Sequence, residues 1–129
     1  MQEEKYDLEE RLLDYSATII RLVERLPNTR AGSHVAGQLL RSGTSALPNH
    51  GEAQAAESPA DFIHKMKVSL KELRESYRWL LLIRRVPLTK DSTEIDRLTK
   101  ETDELIRIFF KGIQTAQKNM ARGVAVRLS

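Results

Sequence analysis

Residues 41–57, RSGTSALPNHGEAQAAE, gather the groups that nucleophilic catalysis uses: hydroxyls at Ser42, Thr44 and Ser45, an imidazole at His50 and a carboxylate at Glu52. Such chemistry needs a nucleophile beside a base, a group that orients the base, and donors for an oxyanion. The spacing works against it. Ser45 and His50 are five residues apart, on neither the same turn nor the same face of a helix. No Gly-x-Ser-x-Gly elbow is present. Metal chemistry fares no better. His34, His50 and His64 share no i, i+3 or i+4 spacing, so no His-Glu-x-x-His pair exists. Glu57, Asp61 and His64 fall at i, i+4 and i+7, but Pro59 interrupts a helix between them. The Glu-x-x-His motifs of di-iron bundles are absent. With no cysteine, disulfides, thiolate catalysis and cysteine-held zinc are excluded. The expectation is a protein with no catalytic residues, no metal and no cofactor.

A different chemistry is legible further on. Lys67, Lys71, Arg74, Arg78 and Arg85 recur at helical spacing, one position round from an apolar stripe. A row of cations on one face is what tracking a phosphate backbone requires, because each neutralised phosphate releases counterions. These five are the candidate nucleic-acid contacts, with RNA, DNA or a hybrid as partner. The same row also fits a solvated face whose long side chains cover an apolar rim. A protein-interaction scaffold without nucleic acid is therefore the alternative. Tyr77 and Trp79 flank the row but form no recognisable RNA-binding module.

The elements that would position these residues are helices. Leu8, Leu12, Tyr15, Ile19, Leu22 and Leu26 step by four and three, and Pro27-Asn28 ends the run. A second helix carries Val35, Leu39, Leu40, Ala46, Leu47, Ala53 and Ala56, and Ser58-Pro59 opens a third with Ile63, Met66, Leu70, Leu73, Tyr77 and Leu80. The fourth has Ile95, Leu98, Thr102, Leu105, Phe109, Ile113, Ala116 and Met120 on one face. The spacing predicts helices at about 3–26, 30–57, 59–86 and 91–121 with a tail at 122–129, and no strand, VAVRL near the end being too short. Four helices with short links make one all-α domain over 1–129, an antiparallel up-down four-helix bundle.

The second helix is unusual. Between Ala31 and Ala60 its only charges are Arg41, Glu52 and Glu57, so it is expected to be surrounded, with small residues admitting close neighbours. Pro48 is expected to kink or break it, with Thr44 and Ser45 satisfying the freed backbone groups. The opening hydroxyls and imidazole thus read as parts of a packed helix.

Apolar side chains also lie off the main stripes: Leu13 and Ile20, then Trp79, Leu82 and Val86, then Ile106 and Phe110. They suit either a wide core or a second seam covered by another subunit, since monomers rarely expose large apolar patches. These seven are the candidate oligomer interface.

Composition sets the frame. The chain of 129 residues is 40% hydrophobic and 30% charged, an ordinary globular balance. Its longest apolar run, Trp79–Ile83, is far shorter than a membrane span. Residues 1–14 carry six acids (Glu3, Glu4, Asp7, Glu9, Glu10 and Asp14) against Lys5 and Arg11; with +3 overall, the remainder is left at +7. The acidic start lacks a secretory pattern, and with no cysteine the cytoplasm is the expected compartment.

RSGTS at 41–45, Asn49, EAQAAES at 52–58, ADFIHKM at 60–66, SLKELRE at 69–75 and YRWL at 77–80 resemble the bacterial four helix bundle protein family. This is also the rRNA intervening-sequence protein family, and it includes the accessory variability determinant of diversity-generating retroelements. The resemblance implies a small protomer that forms a homo-oligomeric ring, typically a homopentamer, with a basic surface. It also implies a nucleic-acid-binding accessory role and, for the retroelement branch, a reverse transcriptase as partner. The family motif contains no catalytic residue. Arg41, Gly43, Thr44, Ser45 and Asn49 are structural on this reading, and Ala46-Leu47-Pro48 and His50-Gly51 depart from the family's smoother helix.

Overall fold

A computed structural model describes the backbone from Gln2 to Leu128 and the side chains from Leu8 to Gly123. The acids Glu3, Glu4 and Asp7, with Lys5, and the VAVRL stretch lie outside the described side chains. Four helices make up the fold: α1 (Gln2–Glu24), α2 (Arg30–Gln54), α3 (Pro59–Arg85) and α4 (Ser92–Leu128).

The starts of α2, α3 and α4 are set by side-chain caps, each supplying an acceptor to a backbone N–H that the helix leaves free. Thr29 Oγ1 accepts from Gly32 N at 3.0 Å, Ser58 Oγ from Asp61 N at 3.1 Å and Asp91 Oδ1 from Glu94 N at 3.1 Å. The ends come slightly earlier than the stripes suggest. Arg25 N donates to Leu22 O and Leu26 N to Val23 O, so the last turn of α1 tightens before Pro27. In the other direction, α4 runs on through Leu128, where a tail from 122 was expected. No proline stops it, and a lone Gly123 costs a helix only about 1 kcal/mol.

The apolar stripes face one core. Leu12, Ile19 and Leu22 of α1, Leu39 of α2, Leu73, Leu80 and Ile83 of α3, and Leu105 and Phe109 of α4 are fully buried. Met120 is a correction to the α4 stripe, since it is exposed. At 37 residues α4 is about 55 Å long. Among the described residues of its distal turns, 117–122 are all exposed.

Each helix packs against its sequence neighbour, and α1 approaches α4 at few points. Those points are mostly polar. Tyr15 OH meets Thr102 Oγ1 at 2.7 Å, Arg11 pairs with Glu101 at 2.7 Å, and Arg25 pairs with Glu94. The α1/α2 approach is close where Gly43 faces Ile19: a Cβ there would stand 2.7 Å from Ile19 Cγ2.

Two expectations for α2 need correcting. Its backbone lies close to α1 and α3, and Ala31, Gly37, Leu40, Gly51 and Ala55 remain exposed. A helix at one corner of a bundle keeps an outer face, however uncharged. Pro48, expected to kink or break the helix, does not break it: it stands exposed within α2, which runs on to Gln54. The hydroxyls of Thr44 and Ser45 donate instead to the carbonyls of Leu40 and Arg41 one turn back, at 2.7 and 2.6 Å.

Candidate nucleic-acid interface

α3 has two working sides. Its α2 side is a fitted seam: Arg41 pairs with Glu72 at 2.9 Å and with Glu75, and Trp79 Nε1 donates to Glu75 Oε2 at 3.0 Å. Trp79 also stands edge-on to His34, ring centres 6.0 Å apart. Beneath them Ser42 and Ser76 join at 2.8 Å, and Lys65 pairs with Glu52 at 2.6 Å further along. Trp79's indole N–H and then Arg41's guanidinium hold the Glu75 carboxyl below its ordinary range. Residues of the RSGTS, KELRE and YRWL motifs are therefore partners of one another. They join two helices.

The opposite side of α3 is basic. Lys67, Lys71 and Arg74 line a groove of about 430 Å³ between α3 and α4, with Leu70 and Ile113 as apolar floor and Phe110, Gln114 and Gln117 on the far wall. All three cations are exposed, and among the described residues none of them forms an ion pair. Arg78 and Arg85 are exposed further along α3, with Arg78 Nη1 donating to the Arg74 carbonyl at 3.1 Å. Cations elsewhere are often neutralised, as in Arg84–Asp96 and Arg107–Asp103 at 2.9 and 3.0 Å. The structure thus brings three of the five candidate cations into one groove and leaves two in line with it.

The seven apolar interface candidates do not form one seam. Leu13 and Ile20 are exposed on α1, each 44% accessible, while Leu82 and Val86 continue the Trp79 face of α3. Phe110 lies in the basic groove. Trp79 and Ile106 are half-buried and pack against the core, so neither is free to serve another subunit in full. Sequence spacing cannot separate these sets, because it ranks residues on one helix and says nothing of the neighbouring one.

The catalytic candidates are dispersed. Ser45 spends its hydroxyl on the Arg41 carbonyl, whereas His50 is buried and stands edge-on to Phe109, ring centres 6.0 Å apart. Its Nδ1 is 3.3 Å from Glu9 Oε1 but out of line for a hydrogen bond. Burial lowers the His50 pKa, with Glu9 opposing that effect. Among the described residues no three His, Asp or Glu side chains converge as a metal site would require, and no helix is long and apolar enough to cross a membrane.

An all-helical bundle with a structural motif on one side of α3 and unpaired cations on the other is the class these features define. The family model of the 23S rRNA-intervening sequence protein matches residues 4–111, and the chain belongs to that family. It is also similar to a crystal structure of a protein of unknown function from the S23 ribosomal protein family of Bacteroides thetaiotaomicron. That chain is 30% identical, the match covers 81% of this chain and 96% of the other, and the TM-score is 0.75. No curated protein matches.

Proposed function

We propose that this protein is a non-enzymatic accessory protein that binds nucleic acid through the basic groove between α3 and α4. One observation carries the reading: three exposed cations, none in an ion pair among the described residues and only Lys71 within electrostatic reach of Glu75, share a groove, and two more extend the line along α3. Carboxylates would neutralise such a row in a face meant only for solvent. Here Glu72 and Glu75 are committed to Arg41 on the other side of the helix.

The same proposal includes an antiparallel up-down bundle that self-associates into a ring, a homopentamer. Contact pairs along α2 and α3 support the antiparallel course, from His34–Trp79 through Ser42–Ser76 to Glu52–Lys65, rising on one helix as they fall on the next. The uncharged outer face of α2 and the exposed Leu13 and Ile20 support assembly, since each would gain from burial. A ring would repeat the basic groove in every subunit and raise avidity without any new contact.

The test is binding of mixed-sequence RNA, duplex DNA and an RNA–DNA hybrid across a salt series. Engagement of several phosphates predicts a steep loss of affinity, about 10³–10⁵-fold between 50 and 200 mM salt for 6–10 contacts. Reversing Lys71, Arg74 and Arg78 to Glu together should abolish binding with helicity and oligomer mass unchanged. If no probe binds at 50 mM salt, the face belongs to a protein-interaction scaffold instead.

A further inference from the structure

We infer that Phe110 is a base-stacking platform, and that the α3/α4 groove accepts single-stranded nucleic acid in preference to duplex. The inference rests on the proposed reading of the basic face and names the form of the polymer it holds.

Phe109 and Phe110 are adjacent in sequence and opposite in fate. Phe109 is fully buried, whereas Phe110 is 47% exposed on the wall of the groove that holds Lys67, Lys71 and Arg74. An exposed phenyl ring adds nothing to the core of this protomer, and its place among cations is a poor one for packing against another apolar surface. Lysine and arginine would each lose hydration if a subunit covered them without acids. A strand of nucleic acid resolves both demands. Its phosphates meet the three cations, and an unpaired base offers a π-face to the ring.

The groove's other residues fit the same occupant. Leu70 and Ile113 give an apolar floor on which a base can rest once it leaves water. Gln114 and Gln117 carry side-chain amides that both donate and accept, so they can meet base edges without selecting one sequence. A duplex cannot use this combination. Its bases are stacked inside and show only their edges in the grooves, so no base face is free to lie on Phe110. Stacking on one aromatic is tolerant of sequence because every base presents a ring.

The experiment is fluorescence anisotropy with labelled oligo-dT and a mixed-sequence DNA duplex of equal length, on the full-length protein. Phe110→Ala should weaken oligo-dT binding roughly tenfold, from the loss of one stacked base. Duplex binding and the salt slope should stay as in wild type. Phe110→Trp should restore or exceed wild-type binding to oligo-dT, which a merely structural phenylalanine would not do. Three results overturn the inference while leaving the basic-face reading standing: no change in Phe110→Ala, equal weakening of both probes, or a fall in oligomer mass. If wild type binds neither probe at 50 mM salt, the basic-face reading and this inference fail together.

Discussion

The hydroxyl of Tyr15 lies 2.7 Å from Thr102 Oγ1 across the α1/α4 seam, and both residues are buried. The direction of this bond follows from Thr102's second contact. Its Oγ1 is 2.7 Å from the Leu98 carbonyl, which only accepts, so the threonine proton is spent there and Tyr15 donates. Ser76 lies near enough to act on the phenol too, and it bonds Ser42 at 2.8 Å. Each helix thus gives one residue to a polar layer inside an apolar core. A one-turn slip of any helix would leave buried hydroxyls unpaired, which makes the layer a register device.

That layer should respond asymmetrically to deletion. Tyr15→Phe removes a donor but leaves Thr102 bonded to Leu98, so a loss of about 1 kcal/mol is expected. Thr102→Val strands the Tyr15 hydroxyl in the core and should cost about 1–3 kcal/mol. The double variant should lose less than the two singles combined. Urea unfolding at constant m-value checks this; strict additivity would mean the two groups do not act as a pair.

The same burial pushes the Tyr15 pKa up to about 12. A group whose folded value is raised stabilises the fold fully below its unfolded value, here about 10, and less as pH climbs toward the folded one. Stability should therefore decline between about pH 10 and pH 12. In Tyr15→Phe that part of the decline should vanish, as alkaline unfolding followed by circular dichroism would show.

Gly43 and Gly51 sit on one helix and should behave in opposite ways. A Cβ at Gly43 would stand 2.7 Å from Ile19 Cγ2, while at Gly51 it would meet nothing within 4 Å. Gly43→Ala gains about 1 kcal/mol of helix propensity but forces α1 and α2 apart, at about 1–3 kcal/mol. It should destabilise on balance, and the double variant with Ile19→Ala, which removes the Cγ atoms the new Cβ would meet, should lose less than the two singles combined. Gly51→Ala should stabilise by up to about 1 kcal/mol. Thermal unfolding of these variants separates the outcomes.

These cases show what the sequence made legible. The stripes of α1 and α3 and the Ser58 cap were readable because helical period and capping chemistry are local. Met120 was not, since its spacing is faultless and its exposure depends on what the other helices cover. Pro48 was overread for a related reason: a proline on the solvent side of a well-packed helix costs a hydrogen bond without ending the element. The five cations were visible as a row, but their company was hidden. Nothing in one strand of text says that Phe110 crosses the α3/α4 seam to Lys71, or that Arg41 reaches Glu72 and Glu75. Both depend on register between helices.

His50 should make the fold acid-sensitive. Burial lowers its pKa, only partly opposed by Glu9 of α1, and Arg11 and Lys111 line the same groove of about 740 Å³. Its folded value lies below the unfolded value of about 6.5, so the unfolded chain binds the proton first. Stability is fully present above about pH 6.5 and falls as pH drops below it. Urea midpoints between pH 5 and pH 8 should show this slope in wild type and a shallower one in His50→Gln. A slope that persists unchanged would assign it to other groups.

Assembly is the remaining expectation, and the α1/α2 seam is its most specific site. Glu9–His50 and Ile19–Gly43 fix the alignment of the two helices. That alignment brings Leu13 to the level of Leu47 and Ile20 to the level of Leu40. Leu13, Ile20 and Leu40 are exposed at 44%, 44% and 40%, and Leu47 is half-buried. The i, i+7 spacing keeps Leu13 and Ile20 on one face of α1, and Leu40 and Leu47 on one face of α2. Trp79→Glu is a poor probe, because it would remove an internal bond and set a second carboxylate beside Glu75. Leu13→Glu with Ile20→Glu changes only exposed positions. Light scattering at micromolar concentration should give wild type a multiple of the 14.7 kDa chain mass and the double variant that mass itself, with helicity intact. A wild-type monomer refutes assembly outright, and a variant that remains oligomeric moves the interface to Leu82 and Val86, where the same pair of substitutions applies.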